Sequence, residues 1–141
     1  MSARALASVT VGDQLPTRTV HIDRATLVRY AGASLDRNPI HWDERFARSV
    51  GLPDVIAHGM FTMGAGGTVV GDWAGDAGRV VQYGTRFTKP VVVPHDTGAD
   101  VVFSGAVTKV DAETGLVTVE LRATCGEDKV LGRAVAVVHL D

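Results

Sequence analysis

One short stretch of this 141-residue sequence combines an acid, an amide and an imidazole. Asp36, Asn38 and His41 occur in the order Asp-Arg-Asn-Pro-Ile-His. Pro39 pushes Asn38 towards an extended conformation, and Asn-Pro pairs initiate turns, so the stretch can bend until Asp36 faces His41. A carboxylate beside an imidazole forms an acid and base pair that works near neutral pH. We interpret Asp36 and His41 as candidate catalytic residues and Asn38 as a positioning residue; the alternative is an ordinary turn.

A second candidate feature begins at His58 and Gly59. The first amides of a helix have no internal acceptor and carry the positive end of its dipole, so a helix starting here can hold an anionic oxygen. An amide aimed at a developing oxyanion contributes about 10²–10³ in rate. We assign the oxyanion hole to Gly59 and expect His58 and Met60 to contact substrate. A capping or packing role is the alternative for His58.

Helical patterns surround both features. Apolar spacing predicts short helices at residues 23–30 and 43–50, capped by Asp23 and Asp43, with an ordered loop between them. Gly32 is the expected stop of the first helix. A longer, almost wholly apolar helix is predicted from Gly59 to Trp73. It contains four further glycines, each costing up to about 1 kcal/mol relative to alanine, so we expect a backbone or ligand packed closely against them.

The pattern then changes to the period of two that is typical of strands. Alternation predicts strands at residues 81–87, 101–110, 117–123 and 130–140, and a short strand at 19–22. Short turns join the later strands, and strands joined in this way pair antiparallel. The sequence therefore predicts an α+β fold in which an antiparallel sheet surrounds one central buried helix.

Length and charge exclude several classes of protein. The length fits one domain over residues 1–141. Fourteen basic and 16 acidic residues give a net charge of −2, without the basic footprint of a nucleic-acid binder. No apolar run approaches the ~20 residues that span a bilayer. Because Cys125 is the single cysteine, no intrachain disulfide is possible, and we expect a cytoplasmic protein that binds neither nucleic acid nor membrane.

Several motifs resemble one known family. Residues 30–41, Y-A-G-A-S-L-D-R-N-P-I-H, are similar to the hydratase 2 signature of the MaoC-like dehydratases. Residues 56–60, 86–91 and 11–13 also match segments of that family, so the resemblance spans nearly the whole chain. It is greatest to the HadB-type subunits of (R)-3-hydroxyacyl-carrier-protein dehydratases. The sequence departs from the family at Leu35, where glycine is usual.

The resemblance implies a hotdog fold and a hydro-lyase that needs no cofactor or metal. The implied reaction is reversible dehydration of (R)-3-hydroxyacyl thioesters, of acyl carrier protein or CoA, to trans-2-enoyl thioesters in type II fatty-acid elongation. Asp36 and His41 would form the catalytic dyad, with the thioester oxygen at Gly59. A homodimer, or a heterodimer with a related hotdog subunit, is the expected assembly.

Three alternatives remain open from the sequence. A hotdog thioesterase would use a carboxylate to activate water against the thioester carbonyl, and a non-catalytic subunit would only bind acyl chains. A metal site formed by Asp36, His41 and His58 is the third, although no pair of histidines at helical i, i+4 spacing supports it.

Overall fold

The computed structural model describes residues 3–141, which form five strands and three helices. In chain order these are β1 (Gln14–Ile22), α1 (Arg24–Ser34), α2 (Glu44–Ser49), α3 (Gly59–Ala74), β2 (Val80–Phe87), β3 (Ala99–Asp111), β4 (Leu116–Cys125) and β5 (Asp128–His139). Short 3₁₀ turns lie at Leu6–Ser8, Pro39–His41 and Ala77–Arg79. No helix in the described range is both long enough and apolar enough to cross a bilayer.

The strands form one antiparallel sheet in the order β1-β3-β4-β5-β2. Alternate residues of β3, including Val101, Phe103 and Val107, are buried, as the period of two predicts. Helix α3 contacts all five strands. The sheet therefore wraps a long central helix, and the hotdog fold is confirmed.

The glycines of α3 allow close packing against the sheet. A Cβ atom at Gly66 would lie 2.6 Å from the hydroxyl oxygen of Tyr83 on β2, and one at Gly67 would lie 3.2 Å from the same ring. The Tyr83 hydroxyl donates a hydrogen bond of 2.9 Å to the Met63 carbonyl. Burial raises the pKa of Tyr83 to about 12, so this donor keeps its proton. The glycine pattern correctly predicted a close approach, but at Gly66 and Gly67 a tyrosine side chain makes it instead of the expected backbone or ligand.

Two predicted boundaries are wrong. Helix α1 does not stop at Gly32 but continues to Ser34, because Leu35 and not glycine takes the left-handed conformation that ends it, with φ 63°. Strand β1 begins at Gln14 instead of residue 19. Pro16 made this part of the sequence look unlike a strand. However, β1 lies at the edge of the sheet, where proline is tolerated. The pairing of β1 with β3 shifts register between Leu15 and Arg18, around this proline.

Candidate active site

The loop between α1 and α2 bends by means of its own polar side chains. After the left-handed turn at Leu35, the Asp36 carboxylate accepts a hydrogen bond of 3.2 Å from the backbone N–H of Asn38. The Asn38 side-chain oxygen then accepts one of 3.2 Å from the Ile40 amide and caps the turn Pro39–His41. Asn38 therefore positions the turn that carries His41.

His41 lies inside the protein, with 7% of its surface exposed. Its Nδ1 is 2.7 Å from the carbonyl oxygen of Ile56, which can only accept, so Nδ1 carries the proton and Nε2 keeps a free lone pair. Burial, the largest effect, lowers the pKa of His41, and the charge of His58 lowers it further. The hydrogen bond to Ile56 and the charge of Asp36 act in the opposite direction. The result is an imidazole that is neutral, and hence basic at Nε2, at neutral pH.

His58 lies beside His41 at the N-terminal cap of α3 and is 2% exposed. Its Nε2 donates a hydrogen bond of 2.9 Å to the backbone carbonyl of Asp36. The two imidazole rings are stacked, with centroids 3.7 Å apart and planes 21° from parallel. The edge of the Tyr30 ring packs against His58 at 4.8 Å. His58 thus contacts both residues of the expected dyad.

The bent loop brings the acid and the imidazoles together. One nitrogen or carboxylate oxygen from each of Asp36, His41 and His58 lies within 4.8 Å of the others. Three such groups could in principle hold a metal ion. However, imidazole lone pairs lie in the ring planes, and two stacked rings direct theirs side by side instead of to one point. The arrangement favours proton transfer over metal coordination.

A cavity of about 320 Å³ adjoins His41. Asp36, which is exposed, and His58, which is buried, are not among its lining residues. Its lining includes buried His41 and Thr62, half-buried Gly59 and the exposed residues 87–90. No acceptor within residues 3–141 takes the Gly59 N–H. A Cβ atom at Gly59 would lie 3.0 Å from the Phe87 ring, so only glycine fits here without a shift. A free amide donor and a free imidazole nitrogen therefore belong to residues of one cavity wall.

The structure separates Met60 from this cavity. Met60 is 59% exposed and lines a second groove, of about 520 Å³, with Tyr30 and Phe61. Thr62, which the sequence analysis did not single out, lines the cavity instead. Its position three residues after Gly59, on the same face of α3, is the signal that would have identified it.

An ion-pair network fixes the two helices that flank the loop. The guanidinium of Arg24, at the start of α1, donates to the Val93 carbonyl at 2.9 Å. It also bonds to Glu44 at 3.2 Å and to Asp54 at 2.5 Å. Asp43 caps α2 as predicted by accepting from the Phe46 amide. The network ties α1, α2 and the segment leading to Ile56 into one support for His41.

Comparison with known proteins identifies the relatives of this chain. The family model described as "MaoC like domain" matches residues 7–126. The 3-hydroxyacyl-thioester dehydratase X of Mycobacterium tuberculosis is 40% identical over 83 residues, which are 59% of this chain and 29% of that protein. The (R)-specific enoyl-CoA hydratase of Rhodospirillum rubrum is 31% identical over 121 residues, covering 83% of this chain and 80% of that protein.

A solved structure of a MaoC-like dehydratase superimposes with a TM-score of 0.96 at 41% identity. The match covers 99% of this chain and 43% of that one. The chain thus spans less than a third of dehydratase X and less than half of the solved dehydratase. A family match over most of the sequence, with the same fold, shows that this chain belongs to the family of MaoC-like domains.

Proposed function

We propose that the chain catalyses the reversible dehydration of (R)-3-hydroxyacyl thioesters to trans-2-enoyl thioesters. One observation carries the proposal. His41, whose Nε2 is free to accept a proton, and Gly59, whose N–H has no acceptor in the described chain, line the same cavity. A base and an oxyanion donor in one cavity are what proton abstraction next to a thioester carbonyl requires.

In the dehydration direction, Nε2 of His41 removes a proton from the carbon next to the thioester carbonyl. The negative charge that develops on the thioester oxygen is stabilised by the N–H of Gly59. The bond between the β-carbon and its hydroxyl group breaks, and Asp36 gives that hydroxyl a proton so that it leaves as water. Return of the proton from His41 to Asp36 through water restores the starting state.

In the hydration direction the same groups act in reverse. A proton first passes from Asp36 to Nε2 of His41 through water. Asp36 then takes a proton from a water molecule as the oxygen of that water attacks the β-carbon, and His41 delivers its proton to the α-carbon. Thr62 supplies a buried hydroxyl in the cavity wall and is placed to hold the substrate. The resemblance to the hydratase 2 signature favours the (R)-3-hydroxy product.

The relatives support this reaction class. One is named a 3-hydroxyacyl-thioester dehydratase and another an (R)-specific enoyl-CoA hydratase, and both names describe the two directions of one reaction. We extend the proposal to fatty-acid elongation with carrier-protein or CoA thioesters, on the resemblance to HadB-type subunits. The free thiol of Cys125 fits a reducing compartment, the cytoplasm.

We also propose that the chain pairs with a second hotdog domain. It covers only 43% of the solved dehydratase chain, which leaves room there for another domain of this size. The edge strand β2 exposes the large apolar side chains of Val81 and Phe87. Exposed apolar side chains on an edge strand are a site for association. The partner is a second copy or a related hotdog subunit.

The test is hydration of crotonyl-CoA, followed by loss of absorbance of the conjugated thioester. We expect Asp36→Asn and His41→Gln to lower kcat/KM by about 10²–10⁴ each. Asp96 and His95 form an exposed acid and imidazole pair elsewhere, so Asp96→Asn and His95→Gln are matched controls that should retain full activity. Full activity in folded Asp36→Asn and His41→Gln proteins would refute the dyad. Release of free CoA instead of hydration would show a thioesterase.

A further inference from the structure

His58 makes two contacts that connect the acid and the base. Its Nε2–H donates to the backbone carbonyl of Asp36 at 2.9 Å, which ties down the residue that carries the acid. Its ring stacks on His41 at 3.7 Å and leaves that imidazole little freedom to turn. The edge of Tyr30 packs against the His58 ring at 4.8 Å. One side chain therefore fixes the relative placement of both dyad residues.

The remaining nitrogen of His58 carries a cost in stability. Nδ1 is buried and has no hydrogen-bond partner among residues 3–141. Nearly all buried polar atoms in folded proteins have a partner, so an unpaired one calls for a reason. An apolar ring of similar size would fill the same space without leaving a nitrogen unpaired. Such an apolar ring could stack on His41, but it could not also donate a hydrogen bond to the Asp36 carbonyl.

We infer that His58 is a positioning residue of the proposed reaction, which holds the Asp36 backbone through Nε2–H and the His41 ring through stacking. The inference rests on the proposed function and assigns to His58 a part other than contact with substrate. The His58 side chain is buried and stacked on His41, and it does not line the 320 Å³ cavity. Substrate in that cavity meets His41 and Gly59, while His58 acts through the residues it contacts.

Two substitutions separate the two contacts. His58→Phe keeps a ring for stacking and removes the N–H donor to Asp36, and it also replaces the unpaired nitrogen with carbon. His58→Gln keeps an N–H at a similar reach and removes the ring. His95→Gln, at an exposed histidine, is the matched control. We expect either His58 variant to lower kcat about 10–100-fold with KM within about twofold, because misplacement of about 1 Å is enough for such a loss.

The pH profile separates positioning from a merely structural role. The charge of His58 lowers the pKa of His41, so both substitutions should raise that pKa and move the acid limb of kcat/KM to higher pH. The other titratable groups that face the two rings, Asp36 and Tyr30, are unchanged in these variants. Partial unfolding would lower the rate at every pH without moving the limb. NMR titration of the His41 imidazole measures the same pKa without any assay of activity.

The outcomes distinguish this inference from the proposed function. A lower kcat in one or both His58 variants, with a raised His41 pKa and a folded chain, supports the inference and identifies which contact of His58 is required. Wild-type kcat and an unmoved limb in both folded variants overturn it, while inactive Asp36→Asn would still uphold the function. If the wild-type chain hydrates no enoyl thioester, the proposed function is refuted. The inference about His58 is then tested by the NMR titration alone, and an unchanged His41 pKa in both variants overturns it.

Discussion

The imidazole of His41 donates its Nδ1 proton to the carbonyl oxygen of Ile56 over 2.7 Å. In many acid and imidazole pairs the carboxylate itself orients the ring. Here a peptide carbonyl takes that part, and the carboxylate of Asp36 instead accepts from the Asn38 amide within its own loop. Asp36 therefore does not orient the His41 ring, whose tautomer is fixed by the Ile56 carbonyl.

The direction of the His41 pKa predicts the pH dependence of activity. The proposed dehydration requires neutral His41, and burial lowers its pKa below the ordinary value of 6.5. We expect kcat/KM for dehydration to show an acid limb, which falls as the pH drops through the folded-state pKa of His41, below 6.5. The measurement is kcat/KM for dehydration of (R)-3-hydroxybutyryl-CoA across this range, with His95→Gln as a control of unchanged profile. An acid limb above 6.5 would contradict the assigned base.

The contact between α3 and β2 predicts a coupled pair of substitutions. Gly66→Ala would place a Cβ atom 2.6 Å from the Tyr83 hydroxyl, so we expect a loss of about 1–3 kcal/mol in the free energy of unfolding. Tyr83→Phe alone loses one hydrogen bond, about 0.5–1.5 kcal/mol. Because the double variant lacks the clashing oxygen, its loss should be smaller than the sum of the two. Urea denaturation of all three measures this coupling.

Gly64 provides the matched control on the same helix. No atom lies within 4 Å of a Cβ built at Gly64, so Gly64→Ala should stabilise the chain by about 0.5–1 kcal/mol. Equal effects of alanine at positions 64 and 66 would show that packing against Tyr83 is not what requires glycine.

The left-handed backbone at Leu35 predicts a stabilising substitution. Leu35 has φ 63° and is 70% exposed, so its side chain gains little burial while its backbone bears a strain of about 1–2 kcal/mol. Glycine removes the strain but is more flexible in the unfolded chain, and we expect Leu35→Gly to raise the free energy of unfolding by up to about 1 kcal/mol. Leu35→Ala keeps the strain and serves as the control in thermal unfolding. A glycine variant less stable than the alanine variant would refute this account of the turn.

The stacking of His41 on His58 predicts that activity does not depend on a metal ion. The two rings lie 21° from parallel, and their in-plane lone pairs do not converge on one point. We expect chain treated with a chelator, and shown by elemental analysis to carry no metal, to hydrate crotonyl-CoA at the untreated rate. Loss of activity that added zinc restores would reverse this assignment and make Asp36 a candidate ligand.

Much of this architecture could be predicted because local patterns determined it. The strands followed from alternation, the caps Asp23 and Asp43 from their place before helical spacing, and close packing of α3 from its glycines. The bend that brings Asp36 near His41 followed from the Asn-Pro pair, since a turn of this kind is encoded by neighbouring residues.

Other features depend on residues far apart in the sequence. The stack of His58 on His41 requires the start of α3 to return to the loop after α1, which no local pattern reports. The first residues of β1 contain Pro16, and only their pairing with β3 makes them a strand. Leucine disfavours the left-handed backbone conformation that Leu35 adopts, so the surrounding chain must impose that conformation.

Both imidazoles of the candidate site donate a hydrogen bond to a main-chain oxygen, His41 to that of Ile56 and His58 to that of Asp36. A peptide oxygen is present whichever side chain its residue carries. In the proposed reaction, substitutions at position 56 would reshape the cavity for longer or bulkier acyl groups, while the nitrogen proposed to accept the proton stays the same. Substrate range and proton chemistry are thus open to separate change, in evolution or by design.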